Sequence, residues 1–191
     1  MSGGDPGRAA EGGAFRISEA IRRIPHHPHP GILFFDLMPL FEDPAGLAAC
    51  NDRIVDWARP RDIDVVLAAE ARGLILGGAI ARALGAGLAV ARKPGKLPGE
   101  HISRSYALEY GEDRLELHVD AIRPGQRVLV HDDLLATGGT AAAKCQLVEE
   151  LGGVVAGIAF VVELTFLPGR ARLVGHDVMS LVAYDTEDVG G

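Results

Sequence analysis

The chain has 191 residues, of which 48% are hydrophobic and 24% charged, with a net charge of −7 and only two cysteines. These values predict one globular domain without a disulfide framework, and the acidic balance argues against nucleic acid as the main partner. No apolar run approaches the ~20 residues that a membrane span needs, and the first residues lack the apolar core of a signal peptide. We therefore expect a cytoplasmic protein.

The N-terminal part predicts little regular structure before the first long helix. Residues 1–14 are rich in glycine and charge, so we expect a disordered tail ahead of a single domain over residues 15–191. Residues 18–24 predict a short helix that ends at Pro25, and the prolines of the following HHPHPG, residues 26–31, exclude regular structure. Asp43 and Pro44 then predict a helix start. Its buried stripe would consist of Leu47, Cys50, Ile54 and Trp57.

From residue 63 onwards, strand patterns alternate with helix patterns. Apolar runs predict buried strands, and a half-exposed strand is predicted where apolar and polar residues alternate at 114–120. A loop rich in proline and glycine covers residues 93–105. Strands are predicted at 63–69, 87–92, 114–120, 127–132, 154–164 and 177–184, and helices at 74–84 and 139–151. This alternation predicts an α/β fold around a mainly parallel central sheet flanked by helices.

Three loops at the predicted carboxyl ends of strands carry unusual residues, and ligands of such sheets bind at these ends. The loops are EARG at 70–73, KPGK at 93–96 and DDLLATGGT at 132–140. The first two loops, together with the residue just before the second, contribute a cluster of cations to an acidic protein, for which a pyrophosphate would be a suitable ligand. These cations are Arg72, Arg92, Lys93 and Lys96.

The third loop predicts a phosphate site. Thr137-Gly138-Gly139-Thr140 leads directly into a helix, so its backbone N–H groups and the helix N-terminus can surround an anion. It is not a Walker A loop, because no Gly-Lys-Ser/Thr follows. The preceding Asp132 and Asp133 suit the hydroxyls of a ribose, a positive charge on the sugar ring, or a divalent metal held through water.

The segment VLVHDDLLATGGT, residues 128–140, resembles the signature of type I phosphoribosyltransferases, in the form found in the adenine-specific members. Further segments of that family occur in the same order, and the resemblance covers roughly residues 16–184. They include PHPGILFFDLMPLFEDP, EARGLILGGAIARALG, ARKPGKLPGE, YALEYGEDRLELHVDAI and VVELTFLPGR. The resemblance implies the type I phosphoribosyltransferase fold, with a small N-terminal hood at about 24–40 and a flexible lid loop at 93–106.

The implied activity converts adenine and phosphoribosyl pyrophosphate to AMP and pyrophosphate in purine salvage. The implied cofactor is Mg²⁺, held through pyrophosphate, ribose hydroxyls and waters, with no certain direct protein ligand. The family also implies a homodimer. Two alternatives remain open from the sequence: an enzyme for another purine base, and a non-catalytic regulator that senses phosphoribosyl pyrophosphate.

The resemblance also implies residue roles. Asp132 and Asp133 would hold the ribose, and the stretch from Ala136 through Thr137, Gly138 and Gly139 to Thr140 would surround the sugar phosphate. Pyrophosphate would contact Arg72, Arg92, Lys93 and Lys96, near a cis peptide at Glu70-Ala71.

For the base, the resemblance implies that Glu109 exchanges a proton with adenine N7 and that Tyr110 supports the site. Leu33 and Phe35 would read adenine through their backbone, and Phe34 would stack on the ring or pack near it. His131 stands where the family has valine, and we expect a hydrogen-bonded histidine at a strand end rather than a catalytic one. We do not expect His26, His27 and His29 to bind a metal, because the intervening prolines give poor chelate geometry.

Overall fold

The computed structural model describes residues 15–107 and 112–186. Its centre is a five-stranded parallel sheet in the order β4-β3-β7-β8-β9. The strands match the predicted apolar runs: β3 Val65–Ala69, β4 Gly87–Ala91, β7 Arg127–Leu135, β8 Val154–Leu164 and β9 Val178–Tyr184. Every residue of β3 is buried, as expected for a strand covered on both faces.

Four α-helices accompany this sheet in the described part of the chain: α1 Met38–Glu42, α2 Pro44–Ala58, α3 Gly73–Leu84 and α4 Gly139–Glu150. The predicted start of α2 is confirmed, because Asp43 Oδ1 accepts a hydrogen bond from the Ala45 N–H at 2.8 Å. Of its predicted stripe, Cys50 and Ile54 are fully buried, and the other two side chains are partly buried. No helix among the described residues is both long and apolar enough to cross a bilayer.

The two faces of the sheet have separate cores. Val66 of β3 packs with residues of α2 and α3 on one face, whereas its neighbours Val65 and Leu67 pack with residues of α4 on the other. This division follows from the alternation of side chains along a strand. Because the strands are parallel, their carboxyl ends lie at one edge of the sheet, together with the first turns of the helices that follow them.

The predicted helix at residues 18–24 is wrong. Only Ile17–Glu19 form a single 3-10 turn, and β1 (Arg22–Pro25) pairs antiparallel with β2 (Leu33–Asp36). This pairing depends on a partner beyond the His-Pro turn, which local periodicity cannot reveal. Arg22 and Asp36 form an ion pair at 2.5 Å across the two strands.

The loop predicted at residues 93–105 ends earlier than expected. Residues from 101 form β5 (His101–Ala107), which pairs antiparallel with β6 (Glu112–His118). Tyr106 near the end of β5 is buried against the α4 core, so burial and pairing with β6 override the polar sequence HISRS. Backbone pairing of Arg92 with Glu116 joins the β5–β6 hairpin to the end of β4.

Candidate active site

Two adjoining cavities lie at the carboxyl ends of β3 and β7. These strands are neighbours in the sheet, and they lead into α3 and α4, so both helices begin at this edge. The larger cavity measures about 410 Å³, and the smaller about 80 Å³. Asp132, Leu134 and Thr140 contribute to the walls of both.

The smaller cavity is formed by the loop between β7 and α4. Its wall includes every residue from Ala136 to Thr140. Gly138 has a φ of 78°, which a residue with a side chain rarely adopts. The first N–H groups of α4 have no intrahelical partners and carry the positive end of the helix dipole. The cavity therefore suits a phosphate group.

The segment after β8 supports this loop from behind. A Cβ at Gly169 would lie 2.2 Å from the Ala136 carbonyl oxygen, and one at Gly138 would lie 2.4 Å from the Gly169 oxygen. Only glycines permit such an approach of two backbones. The adjacent Arg170 is bound to Glu163 of β8, with Nε 2.7 Å from Oε1. Sequence reasoning gave Gly169 no role, although its place in a Pro-Gly pair indicated a special backbone position.

Asp132 is held by a lysine that sequence reasoning missed. Lys144 of α4 is fully buried, and its Nζ donates to Asp132 Oδ2 at 2.8 Å and to the His131 carbonyl at 2.7 Å. Burial raises the pKa of Asp132, but the charge and hydrogen bond of Lys144 outweigh it, so the pKa lies below its usual value. The available signal was spacing, because Lys144 lies four residues after Thr140 and therefore on the same helix face.

Asp133 has a different partner, and its pKa is shifted in the opposite direction. Its Oδ2 lies 2.6 Å from Nε of Arg72, whose side chain is 37% exposed. Burial raises the pKa of Asp133 to about 6, the adjacent Asp132 adds to this rise, and Arg72 opposes it. The two adjacent carboxylates are thus unequal: one has a fully buried partner and the other a half-exposed one.

Two of the four predicted pyrophosphate cations, Arg72 and Lys93, lie on the wall of the larger cavity. Arg92 instead binds Glu70, with Nη2 2.9 Å from Oε2, while Glu70 Oε1 accepts the Lys93 N–H at 2.9 Å. Both hydrogen bonds lower the pKa of Glu70, and the one from the Lys93 backbone has the larger effect. Lys96 is exposed in the loop and is not on the cavity wall. The Glu70-Ala71 peptide is cis, as the resemblance implies.

Lys93 also contacts the β5–β6 hairpin. Its Nζ donates to the carboxylate of Asp113 and lies 3.1 Å from the Tyr106 hydroxyl. Tyr106 in turn donates to Asp113 at 3.0 Å. The hairpin is therefore joined to a cation on the wall of the larger cavity, and Tyr106 forms part of that wall.

The N-terminal hairpin approaches the same region through Phe34. The Arg72 guanidinium carbon lies 5.7 Å from the centre of the Phe34 ring, and His27 packs edge-on against that ring. Leu33 and Phe35 point to the other side of β2, where both are buried, and Phe35 stacks on Tyr184 with ring centres 4.4 Å apart. Glu109 and Tyr110, the predicted base-handling residues, lie outside the described residues.

His131 lies behind the site. Its Nδ1 is 3.0 Å from the Ala159 carbonyl, and complete burial lowers its pKa to about 4. The ring is thus neutral at physiological pH and does not line either cavity. Nε2 has no hydrogen-bond partner among the described residues, so the prediction of a hydrogen-bonded histidine is right for only one ring nitrogen. In the described part of the chain, no group of three or more His, Cys, Asp or Glu side chains could hold a metal ion.

A glycine-rich loop suited to phosphate, two unequal carboxylates and two cations thus line adjoining cavities at one edge of a parallel sheet, which is the arrangement that the resemblance to phosphoribosyltransferases implies. The family model described as "Phosphoribosyl transferase domain" matches residues 40–178, and the chain belongs to this family. The predicted family and the predicted type I fold are confirmed.

Curated relatives and solved structures agree with this membership. An adenine phosphoribosyltransferase of Koribacter versatilis is 56% identical over 86% of this chain and 91% of its own length. One of Rubrobacter xylanophilus is also 56% identical, over 88% of this chain and 91% of its own.

The structure is similar to that of the Thermoanaerobacter pseudethanolicus adenine phosphoribosyltransferase, with a TM-score of 0.85, 47% identity and coverage of 88% of this chain and 98% of that one. The Saccharomyces cerevisiae enzyme, solved with adenine and an imino-altritol bisphosphate, gives a TM-score of 0.82 at 38% identity, covering 86% and 96% of the two chains.

Proposed function

We infer that this protein transfers the 5-phosphoribosyl group of phosphoribosyl pyrophosphate to adenine, which gives AMP and pyrophosphate. The observation that carries this inference is a cradle and carboxylate pair of the expected form, in a chain 53% identical over most of its length to the adenine phosphoribosyltransferase of Solibacter usitatus. The residues of the site divide naturally among the four parts of the reaction: phosphate, ribose, pyrophosphate and base.

The 5-phosphate of the sugar binds in the smaller cavity. The loop Ala136–Thr140 surrounds it with N–H groups and the hydroxyls of Thr137 and Thr140, and the N-terminus of α4 adds favourable charge. The contact with Gly169 keeps this loop in one conformation before substrate arrives. Such preorganisation lowers the cost of binding.

The ribose lies over Asp132 and Asp133, in the wall shared with the larger cavity. Their carboxylates accept hydrogen bonds from the 2- and 3-hydroxyls and stabilise positive charge as the bond to pyrophosphate breaks. Arg72 and Lys93 receive the leaving pyrophosphate from the cavity wall, Arg92 contacts it from the end of β4, and Lys96 approaches with the loop that follows. Glu70 assists by orienting Arg92 and the Lys93 backbone.

Mg²⁺ fits this site as a partner of the substrate rather than of the protein. Asp132 keeps the buried Lys144 as its partner, and Asp133 faces the ribose hydroxyls, so a metal would be held through pyrophosphate, ribose hydroxyls and waters. When bound it would neutralise charge on the leaving group. Closure of the β5–β6 hairpin over the larger cavity would exclude water from the cationic sugar.

Adenine binds under a hood formed by residues 24–40. Phe34 stacks on the base or packs near it, next to Arg72, while the main chain of Leu33 and Phe35 reads the edge that carries the 6-amino group. The burial of both flanking side chains supports backbone reading, because they face away from Phe34. Glu109 handles the proton at N7, and Tyr110 supports the site.

We further propose a cytoplasmic homodimer. Cys50 and Cys145 are both free and buried, which suits a reducing compartment. Leu88 of the edge strand β4 is 44% exposed and Ile75 of α3 is 39% exposed. A Cβ at Gly78 of α3 would lie 3.9 Å from Leu88, so α3 packs beside this edge strand, and the exposed apolar side chains on both elements offer a surface to a second copy.

The test is an activity panel with purified protein, Mg²⁺, phosphoribosyl pyrophosphate and each purine base. AMP should form from adenine, and kcat/KM should be on the order of 10²–10⁴-fold lower for hypoxanthine and guanine, which present the opposite hydrogen-bonding pattern at positions 1 and 6. Absence of AMP above the control without enzyme would refute the function. Efficient use of hypoxanthine would instead place the enzyme among those for another base.

A further inference from the structure

Lys144 is among the largest fully buried side chains of the described residues, and the reaction as assigned above gives it no contact with substrate. A buried ammonium is unfavourable unless its charge and hydrogen bonds are satisfied. Lys144 meets this requirement through the Asp132 carboxylate at 2.8 Å and the His131 carbonyl at 2.7 Å. Both partners belong to the strand that ends at the site.

The Asp132 carboxylate is restrained on both oxygens. Lys144 donates to Oδ2, and the Asp133 N–H donates to Oδ1 at 3.1 Å. Gly73 closes the remaining side, because a Cβ there would lie 2.8 Å from Oδ1. Asp132 is therefore held in one orientation in the wall between the two cavities.

The partner of Asp133 differs in one decisive respect. The Arg72 side chain is 37% exposed and lies on the cavity wall, whereas the Lys144 side chain has no exposed surface. Arg72 can therefore leave Asp133 for an incoming anion, and Lys144 cannot leave Asp132. The charge of Asp132 thus has a permanent partner, whereas the charge of Asp133 has a partner that can be exchanged.

We propose that Lys144 is a positioning residue for phosphoribosyl transfer, which fixes Asp132 for the ribose and leaves Asp133 as the carboxylate released when Arg72 turns to pyrophosphate. This proposal rests on the proposed function. It assigns Lys144 an effect on binding of phosphoribosyl pyrophosphate and none on adenine, because its contacts reach the sugar side of the site alone.

The test compares Lys144→Met, which keeps the chain length and removes the charge, with Gln146→Met on the exposed side of the same helix. Lys144→Met should raise KM for phosphoribosyl pyrophosphate at least about tenfold, the scale of one charge-assisted hydrogen bond, and leave KM for adenine within about threefold. Calorimetric titration of phosphoribosyl pyrophosphate without adenine should show the same weakening. Gln146→Met should match the parent in both measurements.

Asp132→Asn provides the second background, in which Lys144 has lost its charged partner. There, Lys144→Met should raise the melting temperature and change KM for phosphoribosyl pyrophosphate by no more than about threefold, since the interaction is already gone. This comparison decides the question even if Lys144→Met alone fails to fold. A further tenfold loss in the double variant, or an unchanged KM in Lys144→Met, would overturn the role of Lys144. Absence of AMP with the parent protein would instead refute the proposed function.

Discussion

Gly169 and Ala136 meet backbone to backbone, so closely that a Cβ at residue 169 would lie 2.2 Å from the Ala136 carbonyl oxygen. Gly169 has φ −58° and ψ −45°, which suit any residue, so glycine is required there by space alone. The conformation of the loop at residues 136–140 therefore depends on a residue more than thirty positions away in sequence.

Gly169→Ala should displace this loop. We expect unfolding free energy to fall by about 1–3 kcal/mol, the usual result of overpacking, and KM for phosphoribosyl pyrophosphate to rise more than KM for adenine. Thermal melting and steady-state kinetics measure both effects. Gly87→Ala is the matched control, because its Cβ would meet atoms only at 3.7 Å and beyond. If KM for phosphoribosyl pyrophosphate stays at the parent value, Gly169 supports only the fold.

Asp133→Asn should stabilise the protein in a pH-dependent manner while it lowers activity. The pKa of Asp133 rises from 3.8 to about 6 on folding, so the folded protein retains a proton that the unfolded chain has released between these values. Stability therefore falls as pH rises through this window, and the cost is complete above pH 6. The variant should gain on the order of 1–2 kcal/mol at pH 7–8 and converge on the parent towards pH 4.

Melting curves from pH 4 to 8 measure this difference, with Asp56→Asn on the exposed side of α2 as the control. A large loss of melting temperature at pH 7 would show that the Arg72–Asp133 ion pair holds the fold together. An unchanged rate of AMP formation would exclude Asp133 from the reaction.

His131→Val should protect the protein from acid. The pKa of His131 falls from 6.5 to about 4 on folding, so the unfolded chain binds a proton that the folded protein excludes between these values. The parent therefore loses stability as pH falls through this window, and the variant lacks this loss. At pH 7 the variant should lie within about 2 kcal/mol of the parent, since a smaller side chain and one lost hydrogen bond offset the removal of an unpaired nitrogen. An identical pH slope in the two proteins would contradict the buried neutral histidine.

Phe35→Leu should cost stability without changing the choice of base. Phe35 is 3% exposed and stacks on Tyr184, so the smaller side chain should lower unfolding free energy by about 1–2 kcal/mol. The adenine-to-hypoxanthine ratio of kcat/KM should remain within about tenfold of the parent, a difference of ~1.4 kcal/mol. Phe34→Leu, on the opposite side of the same strand, should raise KM for adenine instead. Collapse of the ratio in Phe35→Leu would refute backbone reading of the base.

Glu109→Gln tests the proton transfer at adenine N7. Removal of a general acid–base group lowers turnover by about 10²–10⁴-fold, so kcat should fall on this scale. Binding of phosphoribosyl pyrophosphate should change little, because the role assigned to Glu109 concerns the base. Unimpaired turnover would show that the family role does not apply to Glu109.

The central sheet and the glycine-rich loop at residues 136–140 were predictable because their signals are local. A buried apolar run such as 127–132 can only be a strand or a buried helix segment, and the glycines that follow it identify the turn. The motif placed Asp132 and Asp133 at the strand end, where the structure has them, although β7 continues to Leu135 and includes both.

The missed features depend on partners distant in sequence. β1 is a strand only because β2 pairs with it, and β5 only because β6 does. Lys144 looks like a surface lysine in a short helix until the fold buries it against β7, and Gly169 gains its role from Ala136. Sequence patterns thus predict most secondary-structure elements and the loops of the site. The residues that hold those loops in place, such as Lys144 and Gly169, are identified only by tertiary contacts.

The stacking of Phe35 on Tyr184 joins β2 of the N-terminal hairpin to β9, because Tyr184 is the last residue of that strand. The guanidinium carbon of Arg23 lies 5.0 Å from the centre of the same tyrosine ring, so side chains from both strands of the N-terminal hairpin pack against this ring. During synthesis, the hairpin leaves the ribosome early but receives this aromatic support only when the final strand has joined the sheet. A chain that stops short of residue 184 would lack the ring on which Phe35 and Arg23 pack, so the N-terminal hairpin would lose this contact with the central sheet.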